Sequence, residues 1–248
     1  MKPSEPAANK EMQAALLRSH LVGVRELRGA SALTAKQAAL RMRLRGWQAA
    51  RFERTYADLM ASDRYRPAAE YFLSDLYGPK DFSERDEVLE RLLPVITKIL
   101  PASALHTLGV GVELDLLSES LDCAMVRALF AAGQSADSDI SEAAYAKAYR
   151  SCDNRGAREQ QIALILQIGS AIDEITRKPL LRTAIALIKA PAYAAHMGEL
   201  HHFLDRGFIA FRHMCGAAEF LEIIRERETR ILERLFAKHR YPFDLDRE

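Results

Sequence analysis

The sequence predicts an all-α protein, an irregular multi-helix bundle of about nine helices with no significant sheet. Apolar residues recur at helical spacing along nearly the whole chain, and Gly and Pro fall between the periodic stretches. Helix-start chemistry recurs at the same breaks, and no segment reads as a reliable strand. Of 248 residues, 49% are hydrophobic, enough to bury a substantial core. No Gly/Ser/Pro-rich linker divides the chain, so the expected organisation is a flexible tail over 1–9, one helical domain over 10–238 and a C-terminal tail over 239–248.

The expected helices are 10–29, 34–61, 66–77, 84–99, 102–132, 141–151, 156–177, 180–190 and 193–237. Thr34 with Gln37 opens the second in capping-box fashion, each side chain satisfying a backbone N–H at the other residue. Gly78 takes the left-handed conformation that closes the third, and Pro79 bars its continuation. Ser83 with Asp86 starts the fourth, so Gly78-Pro79 reverses the chain in a helical hairpin. Leu100-Pro101 separates the fourth from the fifth, and Pro179 and Pro191 punctuate later turns. Leu180–Ile188 is apolar almost all round and is expected at the core's centre. The last span is expected to break near Gly207 or Gly216, and its final part has an apolar stripe of Phe220, Leu221, Ile224, Ile231, Leu232, Leu235 and Phe236 opposite a charged face.

The heptad Tyr71-Phe72-Leu73-Ser74-Asp75-Leu76-Tyr77, followed by Gly78-Pro79 and Asp81-Phe82-Ser83, resembles an uncharacterised proteobacterial family named for a Phe-Phe-Leu-Glu-Glu-Leu-Tyr motif, the FFLEELY motif proteins. The sequence departs from that motif at Tyr71, Ser74 and Asp75. The resemblance runs over most of the chain, including Phe203-Leu204-Asp205-Arg206-Gly207-Phe208, and implies no activity, cofactor or ligand.

A formal net charge of +1 argues against a general nucleic-acid binder, for which a strongly basic domain is expected. Cys123, Cys152 and Cys215 have no metal or redox spacing, and Met1–Pro6 lacks an apolar leader core, so a reduced, cytoplasmic setting is expected. The uncharged run Gln160–Ile172 falls short of the ~20 apolar residues of a membrane span.

Four sets of residues stand out as candidate sites. On the helix expected over 102–132, Asp115, Glu119 and Asp122 share one side, while His106 and Glu113 lie nearly opposite. One of these polar stripes points inward if the apolar residues between them are buried, and buried ionisable groups must be paired, hydrogen-bonded or metal-bound. His106 and Glu113 are therefore candidate ligand-binding residues, as are Tyr145 and Tyr149, whose helical spacing suits either a pocket wall or a helix interface.

Glu199 and His202 have the Glu-x-x-His spacing that places two metal ligands on one helix face. Di-iron bundles use that motif twice with two further glutamates, whereas one copy is present here. Arg41, Arg45 and Arg51 lie in a stretch, residues 35–66, with eight basic and three acidic residues, and are candidates for an RNA or acidic partner. Arg41 and Arg45 share a side, Arg43 and Arg54 do not, so no continuous phosphate-tracking stripe is evident, and a solvated helix paired with acids such as Asp115 and Glu119 is the expected reading.

The leading expectation is a non-enzymatic binding or interaction protein, because no nucleophile motif, phosphate loop or complete metal set is recognisable. The rival is a metal- or cofactor-dependent enzyme with an inter-helix site, as in ferritin-like or haem-oxygenase-like bundles. No cofactor is assigned, and a protein partner or a second copy of the chain is left open.

Overall fold

The computed structural model describes residues 5–29, 32–72, 87, 89–91, 93–94, 97–98, 102–177 and 198–247, and side chains except those of 5–8, 103–104 and 198–204. The described residues form nine bounded helices and no strand: α1 (Glu5–Arg28), α2 (Ala35–Thr55), α3 (Ala57–Ala61), α4 (Arg66–Tyr71), α5 (Ala102–Ala131), α6 (Glu142–Ser151), α7 (Arg155–Thr176), α8 (Gly198–Met214) and α9 (Ala218–Phe236). The Gly78-Pro79 reversal, Tyr77, the Ser83/Asp86 start and the apolar segment 180–190 lie outside the described residues.

Local chemistry sets several boundaries where the sequence places them. Thr34 caps α2: its Oγ1 accepts from the Gln37 amide at 3.4 Å, and Gln37 Oε1 accepts from the Thr34 amide at 3.0 Å. Ser141 caps α6, accepting from the Ala144 amide at 3.1 Å. The long C-terminal span does break near Gly216, where Cys215 (φ 57°) and Gly216 (φ 122°) turn the chain between α8 and α9.

Other boundaries differ from expectation. The single helix expected over 34–61 is interrupted at Tyr56, whose φ of −117° and ψ of 23° depart from helical values. The cause is tertiary, because the buried Tyr56 ring carries a hydroxyl that reaches α9. Helix α1 begins at Glu5, inside the stretch expected as a tail. In the segment 239–248, Phe243 and Leu245 pack on buried side chains.

Three apolar clusters make the core. The first joins α3, α4, α7, α8 and α9 through residues such as Leu59, Tyr71, Ile165, Phe211 and Phe220. The second joins α2, α6 and α9 around Leu44, Tyr149 and Leu235. The third holds α1 by Leu17, Leu21 and Val24 against Leu89, Leu93 and Val112. Helix α5 enters all three, with Leu114 in the first, Met125 and Leu129 in the second and Val112 in the third. A helix that meets neighbours on several sides cannot be simply amphipathic, and α5 has no single polar face.

Helices α4 and α8 approach closely at Gly207, where an added Cβ would stand 2.8 Å from the Tyr71 ring. Tyr71 is 2% exposed and cannot swing into solvent without abandoning the first cluster. Gly207→Ala is expected to cost about 1–3 kcal/mol through overpacking. Chemical denaturation checks this, and Tyr71→Phe/Gly207→Ala should not restore the loss, because the ring carbons clash as well as the hydroxyl.

Candidate functional site

His106 and Glu113 lie on the side of α5 that faces α7. Glu113 Oε1 accepts from Gln160 Nε2 at 3.1 Å, and His106 Nε2 stands 3.4 Å from Gln167 Nε2. These contacts, with Gln161 Nε2 donating to Ser118 Oγ at 2.8 Å, are rungs of a seam between antiparallel helices. His106 is exposed at the seam's edge. Glu199 and His202 lie on α8 with side chains outside the description. Among the described residues no group of three or more His, Cys, Asp or Glu could hold a metal ion.

Tyr145 and Tyr149 sit in the second core cluster, 4% and 7% exposed. Tyr145 stacks on Trp47 with centroids 3.9 Å apart, and Phe243 packs edge-on to both. The Tyr149 ring lies 4.6 Å beneath the Arg158 guanidinium, and burial raises its hydroxyl's pKa despite that cation.

The arginine-rich helix turns its charges inward. Arg45 Nη2 donates to Glu119 Oε1 at 2.5 Å and its Nε to Asp122 Oδ2 at 3.2 Å. From α1, Arg28 donates to the same Glu119 oxygen at 2.8 Å and to Asp115 at 2.7 Å. Arg41 Nη1 lies 3.6 Å from Glu119 Oε2 and donates to the Leu27 carbonyl. Of the expected pairing, Glu119 is met by Arg41 and Arg45, whereas the acid beside it, Asp115, is met by Arg28 of α1, and the cluster is buried rather than solvated, since Glu119 is 2% exposed.

Burial pushes the Glu119 carboxyl up, and Arg45 and Arg28 outweigh it, so the pKa falls below the usual value. At Asp122 burial outweighs Arg45 and the pKa rises. A carboxylate with a depressed folded-state pKa gives stability that is present above its unfolded pKa and lost as pH falls through the folded one. Asp122 acts in the opposite sense, favouring the fold less as pH rises through its raised value.

Arg51 belongs to a different construction. Its Nη1 donates to Glu228 Oε1 at 2.6 Å, and the Tyr56 hydroxyl donates to the same oxygen at 2.8 Å. Burial lowers the Arg51 pKa, Glu228 with smaller help from Tyr145 and Tyr56 raises it, and the net direction is up. Burial, then Glu228, holds the Tyr56 hydroxyl well above its usual value. Beside this triad is a cavity of about 30 Å³ lined by Phe52, Tyr56, Leu59, Phe72, Phe220 and Glu228, with Ala69, Ile165 and Ile224 completing it. Arg227 braces the α2–α3 break, donating to both Asp58 oxygens at 2.7 Å and to the Thr55 carbonyl at 2.8 Å.

Glu228 is not among the residues the sequence singles out, although the sequence holds a trace of it. The α9 stripe runs through Ile224 and resumes at Ile231, and Glu228 occupies the helical position between them. A carboxylate inside an apolar stripe needs a buried partner, and Arg51 is that partner.

Phe72 ties the cavity to the heptad, packing 5.7 Å from Phe220 and 6.3 Å from Phe211 between ring centroids. Tyr71 beside it touches Gly207, so the described parts of the two sequence stretches quoted for the family resemblance meet here. A domain of unknown function, DUF8198, matches residues 28–242. The chain belongs to that family. No curated protein and no solved structure matches it. The DUF8198 span starts at the last residue of α1 and takes in the whole cavity.

Glu228→Gln is expected to destabilise the fold by about 3–5 kcal/mol, because it strips the counter-charge from a guanidinium that is 7% exposed. The Tyr56 bond alone is worth about 1 kcal/mol, so Tyr56→Phe should cost far less. Urea unfolding of the two variants separates them. Wild-type stability should also fall as the solution is acidified below the usual carboxylate range, the direction set by Glu119.

Proposed function

We propose that this DUF8198 protein is a non-enzymatic interaction protein of the cytoplasm whose aromatic cavity receives one apolar side chain of a protein partner. The observation that carries the reading is the cavity's size and wall together. Small-molecule sites run to about 300–1,000 Å³. A socket of about 30 Å³ holds only the end of a side chain. Anchor side chains seated in desolvated pockets supply most of the affinity in protein interfaces. Its wall is rings and aliphatic groups, and Arg51 already balances its one carboxylate.

The inward turn of Arg41, Arg45 and Arg51 also favours a protein partner over RNA, which needs guanidinium groups free to meet phosphates. The Tyr71–Tyr77 heptad supports a place among the FFLEELY motif proteins of proteobacteria. The three cysteines are free, with Cys215 exposed, which supports a reducing compartment.

A photo-crosslinking benzophenone residue placed at position 72 in the producing cell tests the reading. The expected result is one discrete adduct that disappears when Ala69→Val, whose two added methyl groups match a space of about 30 Å³, fills the socket while the circular dichroism of the variant is unchanged. An adduct pattern indifferent to Ala69→Val, or none, contradicts it.

A further inference from the structure

The charged residues buried most deeply among those described are Glu119, Arg158 and Arg51, at 2%, 6% and 7% exposed. A charge inside a protein needs an opposite charge beside it, and two of the three have one: Glu119 is met by Arg28 and Arg45, and Arg51 by Glu228. Arg158 has none. No acid among the described residues forms an ion pair with it, and its Nε and Nη2 donate to no acceptor. Among the described residues Arg158 alone has two buried polar atoms without a hydrogen bond.

The rest of this guanidinium is engaged. Its face lies 4.6 Å over the Tyr149 ring. Its Nη1 donates to Gln161 Oε1 at 3.3 Å, and the other end of that carboxamide is held by Ser118 at 2.8 Å. Asp122 lies within range of the charge, but its two oxygens accept from Arg45 Nε and Gln48 Nε2, each at 3.2 Å. Asn154, one turn before Arg158 at the start of α7, has a buried Oδ1 that also lacks a partner. A water molecule would meet a hydrogen here and leave the charge uncompensated.

The unpartnered edge has a definite chemistry. Nε–H and Nη2–H project from one side of the guanidinium with the spacing of the two oxygens of a carboxylate. The chain turns this same edge on acids twice elsewhere, in Arg28 with Glu119 and Asp115 and in Arg45 with Asp122 and Glu119.

We propose that the Nε–Nη2 edge of Arg158 is the binding site of a small free carboxylate, an acetate-sized monoanion that enters at the turn between α6 and α7. One negative charge balances the one guanidinium that lacks a partner, and a phosphate dianion would exceed it. A side chain only 6% exposed admits a small molecule and not a segment of another polypeptide. The turn is the way in because Cys152 and Asn154 on it are half-buried. The Arg158 charge reaches that turn, where burial raises the Cys152 thiol's pKa and the guanidinium opposes the rise. The site is separate from the aromatic socket, whose wall includes none of Arg158, Tyr149, Gln161 and Asn154.

Titration of the full-length protein with sodium acetate, read by saturation transfer to the acetate methyl signal in NMR, tests the proposal. One saturable site per chain is expected. Arg158→Met keeps the length of the side chain without its charge and should weaken binding about tenfold or more, the loss of a hydrogen-bonded charge pair. Asn154→Asp leaves Arg158 in place and sets a carboxylate one turn before it, which should compete with acetate and weaken binding as well. Where Arg158→Met fails to fold, Asn154→Asp decides. Absence of saturable transfer in the wild type, full retention of it in either folded variant, or displacement of acetate by an equal concentration of sodium chloride overturns the proposal.

Discussion

One carboxylate organises a third of this molecule. Glu119 is 2% exposed at the middle of α5 and is approached by Arg28 from α1 and by Arg41 and Arg45 from α2. A buried carboxylate left alone would lose several kcal/mol of hydration, and here Arg28 and Arg45 both donate to its Oε1 while Arg41 stands 3.6 Å from Oε2, so positive charge surrounds it. Because they come from two helices, satisfying Glu119 fixes where both helices cross α5. Asp115 and Asp122, one turn either side, extend the pairing and set rotation as well as position. A patch that looks basic in sequence is thereby consumed inside the fold.

The same logic recurs at the other end of α2. Glu228 would be an error in the apolar stripe of α9 were it not held by Arg51 and Tyr56. Holding it requires Tyr56 to turn its hydroxyl toward α9, and the break between α2 and α3 sits at that residue. The break opens the aromatic socket, since Phe52 lies one turn before it and Leu59 one turn after it. Ion pairing, helix interruption and cavity are therefore one construction. Its chemistry suits binding, because the carboxylate is neutralised and every other wall atom group is a ring or an alkyl chain apart from the Tyr56 hydroxyl.

What could be read in the sequence follows the range of the forces involved. The capping box at Thr34 and Gln37 and the turn at Gly216 depend on neighbours within a few residues; the first stands where the sequence indicates, and the second is one of the two breaks it offers, the helix running on through Gly207. The pairing of Arg41 and Arg45 with Glu119 was partly legible, since both sets share a helix side, but its burial was not. Tyr56 interrupts a span with neither Gly nor Pro at that point, and its cause lies 172 residues away. Tyr145 and Tyr149 have the spacing of a pocket wall and of a core alike, and in the structure both are buried in the second cluster, Tyr145 against Trp47. Composition groups Arg51 with Arg41 and Arg45, yet it faces a different helix and serves a different carboxylate.

The account rests on Glu119 as the point that fastens α1 and α2 to α5. Amide hydrogen exchange on Glu119→Gln at neutral pH tests this most directly, because it reads each helix separately. The expected result is a loss of protection in α1 and the first half of α2 that exceeds the loss in α7 and α9, together with a global destabilisation of about 3–5 kcal/mol. Protection in α1 and α2 that matches wild type, with destabilisation below about 1 kcal/mol, would contradict it.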